Sequence, residues 1–554
     1  MFLGHKFAYF CSILLGSVMV VHGADRILTV KEYREKMSAG WIGQMVGVSH
    51  GAPTEFRWGD KIIPEDKVPQ WTSQMINDSF AQDDLYVEMT FLRTLEQYGL
   101  DCSIRQAGID FANSGYPLWC ANNVGRKNLR KGIAAPDSSH PQFNKCPNDI
   151  DYQIEADYSG LIAPGIPQAA VDLGEKFGRL MNYGDGMYAG QFIGALYAEA
   201  FFESDPVRLA QKALEAIPGG CQYAEMVRDM LKWYSEDPIN WQACWEKCQK
   251  KYREDSNYQK DSNGGIDCKI NGAYVLLGLL YGHRDLNDTI VISMRGGQDS
   301  DCNPSSSGGI LFTTFGYNNL PDRYLKDLQW ETKFSHTDYN FKQLLDVCQK
   351  LATDVVVKYG GKVVKNDQGE MCFIIPDRPV KPSKLVCSWN PEPIENSRFT
   401  NEEMEQMIWN KQPSHLQGDV DKLFPGWKII NCGDDMNPGV RADWQGQKDV
   451  LCVHPLDEEV GCSLIRTLSI PNDKPCHLHL IVGNDPQGDF DLVIKVNDQE
   501  FLRKTISNST TENHWMDLKV DLSQFAGTDI KIELINQPTE WAWEAAYWKT
   551  ISFE

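Results

Sequence analysis

The stretch RGGQDSDCNPSSSGG, Arg295 to Gly309, decides how the whole chain is read. Two glycines lead into Asp299 and Asp301, one residue apart, and then into Asn-Pro and three serines. Carboxylates that close repel each other unless positive charge lies between them. DSDCN copies the first five positions of an EF-hand loop and then departs from it. Pro304 stands where the turn glycine belongs, and Ile310 where the twelfth-position glutamate belongs, which excludes that motif. The pattern calls instead for a hard divalent cation with further oxygen ligands drawn from elsewhere.

Two earlier acidic groups could supply them. Glu55 lies in GQMVGVSHGAPTEFRWGD, where Gly43, Gly47 and Gly51 suggest a helix giving way to a loop. Gln82, Asp83 and Asp84, in FAQDDLYVEMTFLRTLEQYG, open an amphipathic helix. Each group has an ordinary explanation: acids at a helix start are favoured by the macrodipole and the unsatisfied N–H groups, and a lone loop glutamate is usually solvated. Together they are another matter. Acid-rich helix starts far apart in sequence, each with alternate carboxylates plus an amide or hydroxyl, are what a pair of cations could bridge.

The rest of the chain sets the frame. At 554 residues it is too long for one ordinary domain. The net charge of -22 argues against a nucleic-acid partner, which wants a basic face. Lys6, the apolar run FAYFCSILLGSVMVV, and Val21 and Gly23 before Ala24 read as a cleaved export signal over residues 1–23. That run is short for a bilayer span, and no later segment looks transmembrane. The expected location is therefore secreted or periplasmic. Setting Cys11 aside, fifteen of the sixteen cysteines remain, which an oxidising compartment permits to pair. Cys244 and Cys248 lack the second thiol or histidine pair that a zinc site needs.

Thr29 with Glu32 forms a capping box at the first helix, and apolar helical patterns recur to about residue 358. VVKNDQGEMCFII reads as a hairpin turning at Asn366-Asp367. Residues 24–375 are thus expected to form a mainly helical domain. Residues 376–426, rich in proline, charge and turn formers, read as a connector with some local helix. From 427 to 554 the alternation of HLHLIVGND, FDLVIKVND, WMDLKVDL and DIKIELIN predicts an antiparallel β-sandwich.

A glycine-rich turn with a glutamate, then an acidic pair, then a late Gly-Gly-acid-x-acid before a buried helix resembles the ADP-ribosylglycohydrolase family. The family's N-terminal pattern is similar to GQMVGVSHGAPTEF, its metal-binding Thr-Asp-Asp to Gln82-Asp83-Asp84, and its Gly-Gly-Asp-x-Asp-Thr to Gly296 through Cys302 with one extra residue. The resemblance spans roughly residues 30 to 350. It implies an all-α catalytic domain with one or two divalent ions, Mg²⁺ foremost with Mn²⁺ or Ca²⁺ as alternatives, beside a scissile anomeric bond. Gln82, Asp83, Asp84, Asp299, Asp301 and Cys302 are then the expected metal ligands, and Glu55 the residue that activates water or protonates the leaving group. Gln82 and Cys302 replace family threonines; an amide oxygen still suits a hard cation, whereas a thiol is a soft ligand that Mg²⁺ disfavours.

Where members that remove ADP-ribose carry a threonine-histidine pair, this chain reads DYQIEADYSGLIAPGIPQ and MNYGDGMYAG. Asp157 and Asp185 are candidate catalytic acids there, and Glu155 and Tyr183 candidate substrate contacts, as are Asn113, Tyr116 and Trp119 in FANSGYPLWCANN. The C-terminal sandwich resembles carbohydrate-binding jelly rolls, with Trp541, Trp543 and Trp548 as a possible stacking face. The leading expectation is a secreted, metal-dependent glycoside hydrolase with a carbohydrate or glycoside substrate. Its alternatives are an extracytoplasmic ADP-ribosyl or other N-glycosidic hydrolase, and a non-catalytic glycan-binding protein.

Overall fold

Helices that are apolar on every side have to be buried on every side, and two of them define the centre of the N-terminal half. Every residue of Asp185–Ala200 and of Cys268–Tyr281 is buried. The computed structural model describes residues 25–258, 266–409, 416–433, 435–472, 475–540 and 542–554. The expected export signal and Trp541 lie outside the described residues. The chain folds as two compact units: a helical one, ending at Met404, and a second made of Asn113–Pro117 with Glu405–Glu554. The division falls inside the stretch expected as a connector. Up to Met404 that stretch lies on the helical unit, where Ala134 donates to the Ser397 carbonyl and Phe399 to that of Gly132.

The first helix, Val30–Gly51, is capped by Thr29, whose hydroxyl oxygen accepts the Glu32 N–H at 3.0 Å. It does not give way to a loop at its glycines, as the sequence suggested. Gly43, Gly47 and Gly51 are helical and spaced four apart, which puts them on one face. A Cβ on each would fall on the backbone of Gly308, Pro304 and Ser300 respectively. They form a seam along which this helix meets Cys302–Phe315 backbone to backbone.

A small antiparallel sheet closes the unit. The expected hairpin is present as β2, Lys362–Lys365, and β3, Met371–Ile375, and β3 pairs in turn with β1, Arg26–Thr29. Strand β1 joins the start of the helical unit to its late part. Its four residues carry no alternation by which sequence could announce them.

The second unit is a sandwich of two five-stranded antiparallel sheets, ordered β10-β9-β12-β7-β4 and β11-β8-β13-β6-β5. Its strands are β4 Lys428–Ile430, β5 Gly439–Trp444, β6 Gln447–Val453, β7 Cys462–Ser469, β8 His477–Asn484, β9 Phe490–Val496, β10 Gln499–Ile506, β11 Trp515–Asp521, β12 Asp529–Gln537 and β13 Ala546–Phe553. Alternate residues of β8, β9 and β12, among them Leu480, Ile494 and Ile532, fill the space between the sheets. Trp548 belongs to that core rather than to a stacking face, while Trp543 is 45% exposed with a left-handed φ of 66°. Among the described residues no helix is long and apolar enough to cross a membrane.

Candidate metal centre

The glycine seam places the acids. It ends at Gly51, four residues before Glu55, and on the other side at Ser300, between Asp299 and Asp301. The Thr54 and Ser300 hydroxyls meet at 2.8 Å, and the Phe56 N–H donates to the Gln298 carbonyl. Gly297 has φ +82°, and a Cβ there would strike the Trp58 carbonyl, so only glycine fits this crossing. Asn271, from the buried helix Cys268–Tyr281, accepts from the Asp299 N–H and the Asn303 amide, which fixes the turn from below. Asp83 and Asp84 arrive as the first two residues of helix Asp83–Tyr98.

These segments converge. Carboxylate oxygens of Asp84 and Asp301 and the Cys302 sulfur lie within 4.8 Å of one another, as do oxygens of Glu55, Asp299 and Asp301. Asp301 belongs to both groups, so the two sets of ligand atoms adjoin. Asp84, Asp299 and Asp301 are buried, and one oxygen of each (Oδ1) has no hydrogen-bond partner. Glu88, one turn beyond Asp84, is buried too, with Oε2 accepting the Tyr158 N–H and Oε1 unpartnered. Burial, then the Asp301 and Asp83 charges, raise Glu55 to about 7. Burial raises Asp299 to about 7 as well, and with neighbouring acids it pushes Asp84 and Asp301 well above the carboxylate range.

The donor set fits a hard divalent cation. Two unit charges 4 Å apart repel by about 4 kcal/mol at an effective dielectric constant near 20. A buried carboxylate oxygen without a partner adds a further penalty. Only protons or a cation relieve both, and a cluster of carboxylate oxygens is the hard-ion chemistry. Cys302 stands among the ligands but donates its S–H to Asp84 Oδ2 at 3.3 Å. Burial and the surrounding acids push its thiol up, which keeps it a neutral donor. Gln82 has extended backbone at the helix start, and its side chain caps nothing.

The remaining expected residues separate into those near the centre and those elsewhere. Glu155 is buried, accepts from the Asn122 amide, and feels the Asp83 and Asp84 charges. Asn122 also donates its N–H to Asp151 at 3.0 Å. Trp119, 57% exposed, stands at the start of that same helix, Cys120–Arg130. Asp157, expected as a catalytic acid, is completely buried and held by the Tyr197 and Ser306 hydroxyls at 3.0 and 3.3 Å. That seals it from substrate and makes it a support behind Glu88 and Asp84, whose carboxyls its charge pushes up.

Asp185, the other expected acid, accepts the Tyr223 N–H in the first turn of helix Gln222–Glu236 at 2.8 Å, and its charged neighbours are Lys269 and Asp267. It is a buried structural acid. Tyr183 accepts from the Glu392 N–H and packs edge-on to His140, on the wall of a different cavity. Asn113 belongs to the second unit, holding the Gln406 carbonyl and the N–H groups of Ile408 and Trp409. Tyr116 is buried in that same short stretch. Cys244 and Cys248 pack on Met230, thiols against a thioether. Sequence reasoning passed over Glu88, Asn271 and Asn122. Glu88 had a signal, since four residues after Asp84 puts it on the same helix face.

A helical unit with a buried carboxylate centre at its helix starts, followed by a β-sandwich, defines the class: a two-unit protein with an acidic candidate metal centre in its helical part. The ADP-ribosylglycohydrolase family profile matches residues 29–359, and the chain belongs to that family. No curated protein matches it. Among solved structures, an ADP-ribosylglycohydrolase-related protein complex is 14% identical, covering 59% of this chain and 99% of that one, with a TM-score of 0.37. A family 35 carbohydrate-binding module from Paenibacillus barcinonensis is 11% identical, covering 24% of this chain and 94% of that one, with a TM-score of 0.18. One from Clostridium thermocellum is 13% identical, covering 23% and 90%, with a TM-score of 0.17.

Proposed function

We propose that the helical unit is a divalent-metal-dependent glycoside hydrolase, exported from the cytoplasm, acting on a glycan or glycoside. The observation that carries this reading is the convergence of Glu55, Asp84, Asp299 and Asp301 from three distant segments, with unpartnered buried oxygens on the three aspartates. Asp83, Asp84, Asp299 and Asp301, with Gln82 at the rim, would hold Mg²⁺, or Mn²⁺ or Ca²⁺ in its place. When bound, such an ion supplies Lewis-acid polarisation and grips sugar hydroxyls.

The chain's own residues do the rest. Glu55 is the partly exposed acid whose pKa lies near neutrality, which suits a group that moves a proton at its carboxyl oxygen. Hydrolysis of a glycosidic bond needs an acid and a base in turn, and Glu55 can serve on the water or leaving-group side. Cys302 orients Asp84, Asn271 fixes Asp299, and Tyr197 and Ser306 hold Asp157 behind them. Trp119, exposed at the start of the helix whose Asn122 bonds Glu155, offers a sugar face. The export reading rests on the N-terminal sequence, and a glycan-binding role for the sandwich on its jelly-roll character and the exposed Trp543.

Family membership favours a second reading, hydrolysis of an ADP-ribosyl or other N-glycosidic bond. One screen separates the two. Purified protein with Mg²⁺, Mn²⁺ or Ca²⁺ is incubated with aryl glycosides, oligosaccharide mixtures and ADP-ribosylated peptide, and released products are read by mass spectrometry. Sugar release from glycosides supports the first reading and release from the peptide alone the second. Turnover of none, with no bound metal and no change in melting temperature on chelation, leaves only a glycan-binding role.

A further inference from the structure

A cavity of about 870 Å³ opens on the helical unit, and none of its lining residues belongs to the acidic centre. Its walls are the segment Glu65–Ser73, His50 at the end of the first helix, one face of Leu286–Arg295, and Arg323 with Lys326. Three cations line it: Arg295, Arg323 and Lys326. None has a carboxylate within ion-pair distance among the described residues, although Glu65 and Asp288 share the wall. Arg323 donates one terminal N–H to the Tyr324 hydroxyl at 2.7 Å and lies over that ring, and the rest of its guanidinium has no acid to answer it. In a chain of net charge -22, cations in a concavity without an acidic partner are conspicuous.

Trp71 is held beside them. Its indole N–H donates to the Arg323 carbonyl at 3.0 Å, and its ring meets His50 edge-on at 5.5 Å and Tyr324 at 5.9 Å. The His50 ring nitrogen bonds the Pro69 carbonyl at 2.7 Å, which ties down the segment bearing Trp71. Arg295 donates from Nε to the Ile63 carbonyl at 2.9 Å and stacks over Trp241, leaving its terminal N–H groups for a ligand. A second cavity, of about 570 Å³ around Asp137, His140 and Arg179, shows the contrast. There Arg179 pairs with Glu175, Lys384 with Glu392, and Asp137 accepts the N–H groups of Glu395 and Ser397. Its arginine and Lys384 are paired with acids, and Lys176 donates to the Leu100 carbonyl.

A fixed, partly exposed indole beside three cations without a carboxylate partner suits a ring with an anionic substituent: the ring lies on the aromatic face, and the anion takes charge-assisted bonds from the arginines. We propose that this cavity binds a monosaccharide unit bearing a carboxylate or phosphate group. The proposal does not depend on hydrolysis, because the site is separate from the acidic centre and is tested by binding alone.

The test titrates the full chain calorimetrically with glucuronic acid, glucose 6-phosphate, glucose and inorganic phosphate. The acidic sugars bind and glucose binds at least about tenfold more weakly, the loss expected for a charge-assisted bond. Arg323→Ala and Lys326→Ala each weaken the acidic sugars by about tenfold, and Trp71→Ala weakens them while leaving phosphate unchanged. All titrations are run in EDTA, so that no sugar held through an ion at the acidic centre contributes and this site is read separately from the metal-centre reading. The preferred acidic sugar names the anion. Equal binding of glucose overturns the proposal. So does binding of phosphate without preference for a sugar, absence of binding by every probe, or binding that survives both Arg323→Ala and Lys326→Ala. Lys326 is exposed, so its variant keeps the test free of folding effects.

Discussion

Asp185 and Asp267 are as deeply buried as Asp84, Asp299 and Asp301, in the same helical unit, yet the two groups are provided for in opposite ways. Asp267 accepts the backbone N–H and the ammonium of Lys269 at 2.7 and 2.8 Å, a pair with almost no solvent contact. Asp185 takes the Tyr223 N–H and lies in the field of the same lysine. In the acidic centre, among the described residues, no lysine or arginine answers the carboxylates, and oxygens are left over. Burial alone therefore does not mark a functional acid. Unspent acceptors gathered within ligand distance of one another do, because nothing in folding offsets their cost.

Four experiments sharpen or break that contrast. Asp301→Ala removes the acid shared by both ligand groups, and turnover should fall on the order of 10³-fold, the scale of losing a key electrostatic group. Metal affinity should fall with it, while the metal-free variant melts no lower than the metal-free parent. Unchanged turnover would sink the centre. Asp267→Ala should do the reverse. Stranding Lys269 in the interior costs about 3–5 kcal/mol, read by denaturant titration, while metal stoichiometry of the folded fraction holds.

The third experiment uses pH. In chelated protein Glu55 and Asp299 are raised to about 7, and Asp84 and Asp301 are raised too, chiefly by burial. A carboxyl with a raised folded pKa binds its proton more tightly folded than unfolded. Its stabilisation is complete below the unfolded value near 4 and lost as pH rises through the folded one. The melting temperature without metal should drop between about pH 5 and about pH 8, and saturating Mg²⁺ should flatten that slope. A chelated protein with no such drop contradicts the crowding of charge. Cys302→Thr is the mildest: a hydroxyl keeps the donor to Asp84 and offers the hard oxygen a thiol lacks. Mg²⁺ should bind a few-fold tighter, measured by titration calorimetry.

Much of the centre was readable before folding. Asp83, Asp84, Asp299 and Asp301 lie in short acid-dense motifs, and such density survives in one dimension. The strands β8, β9, β11 and β12 were likewise announced by alternation. What failed was whatever depends on a partner. Gly43, Gly47 and Gly51 look like loop residues until Cys302–Phe315 is laid against them. Asp157 and Asp185 look like site acids until Tyr197, Ser306 and Tyr223 consume them. Asn271 carried no local mark at all; only the buried helix that bears it brings it under Asp299.

Between Gly47 and Pro304 there is no side chain to flex, only two backbones touching. The spacing of the two helix backbones that lead to Glu55 and Asp301 is consequently set by atomic radii. A cradle built on so stiff a hinge-free joint would sort ions by size, favouring one that fits at about 2.1 Å from oxygen over one that needs about 2.4 Å. Gly47→Ala, by wedging the two helices apart, would be expected to shift that preference toward the larger ion.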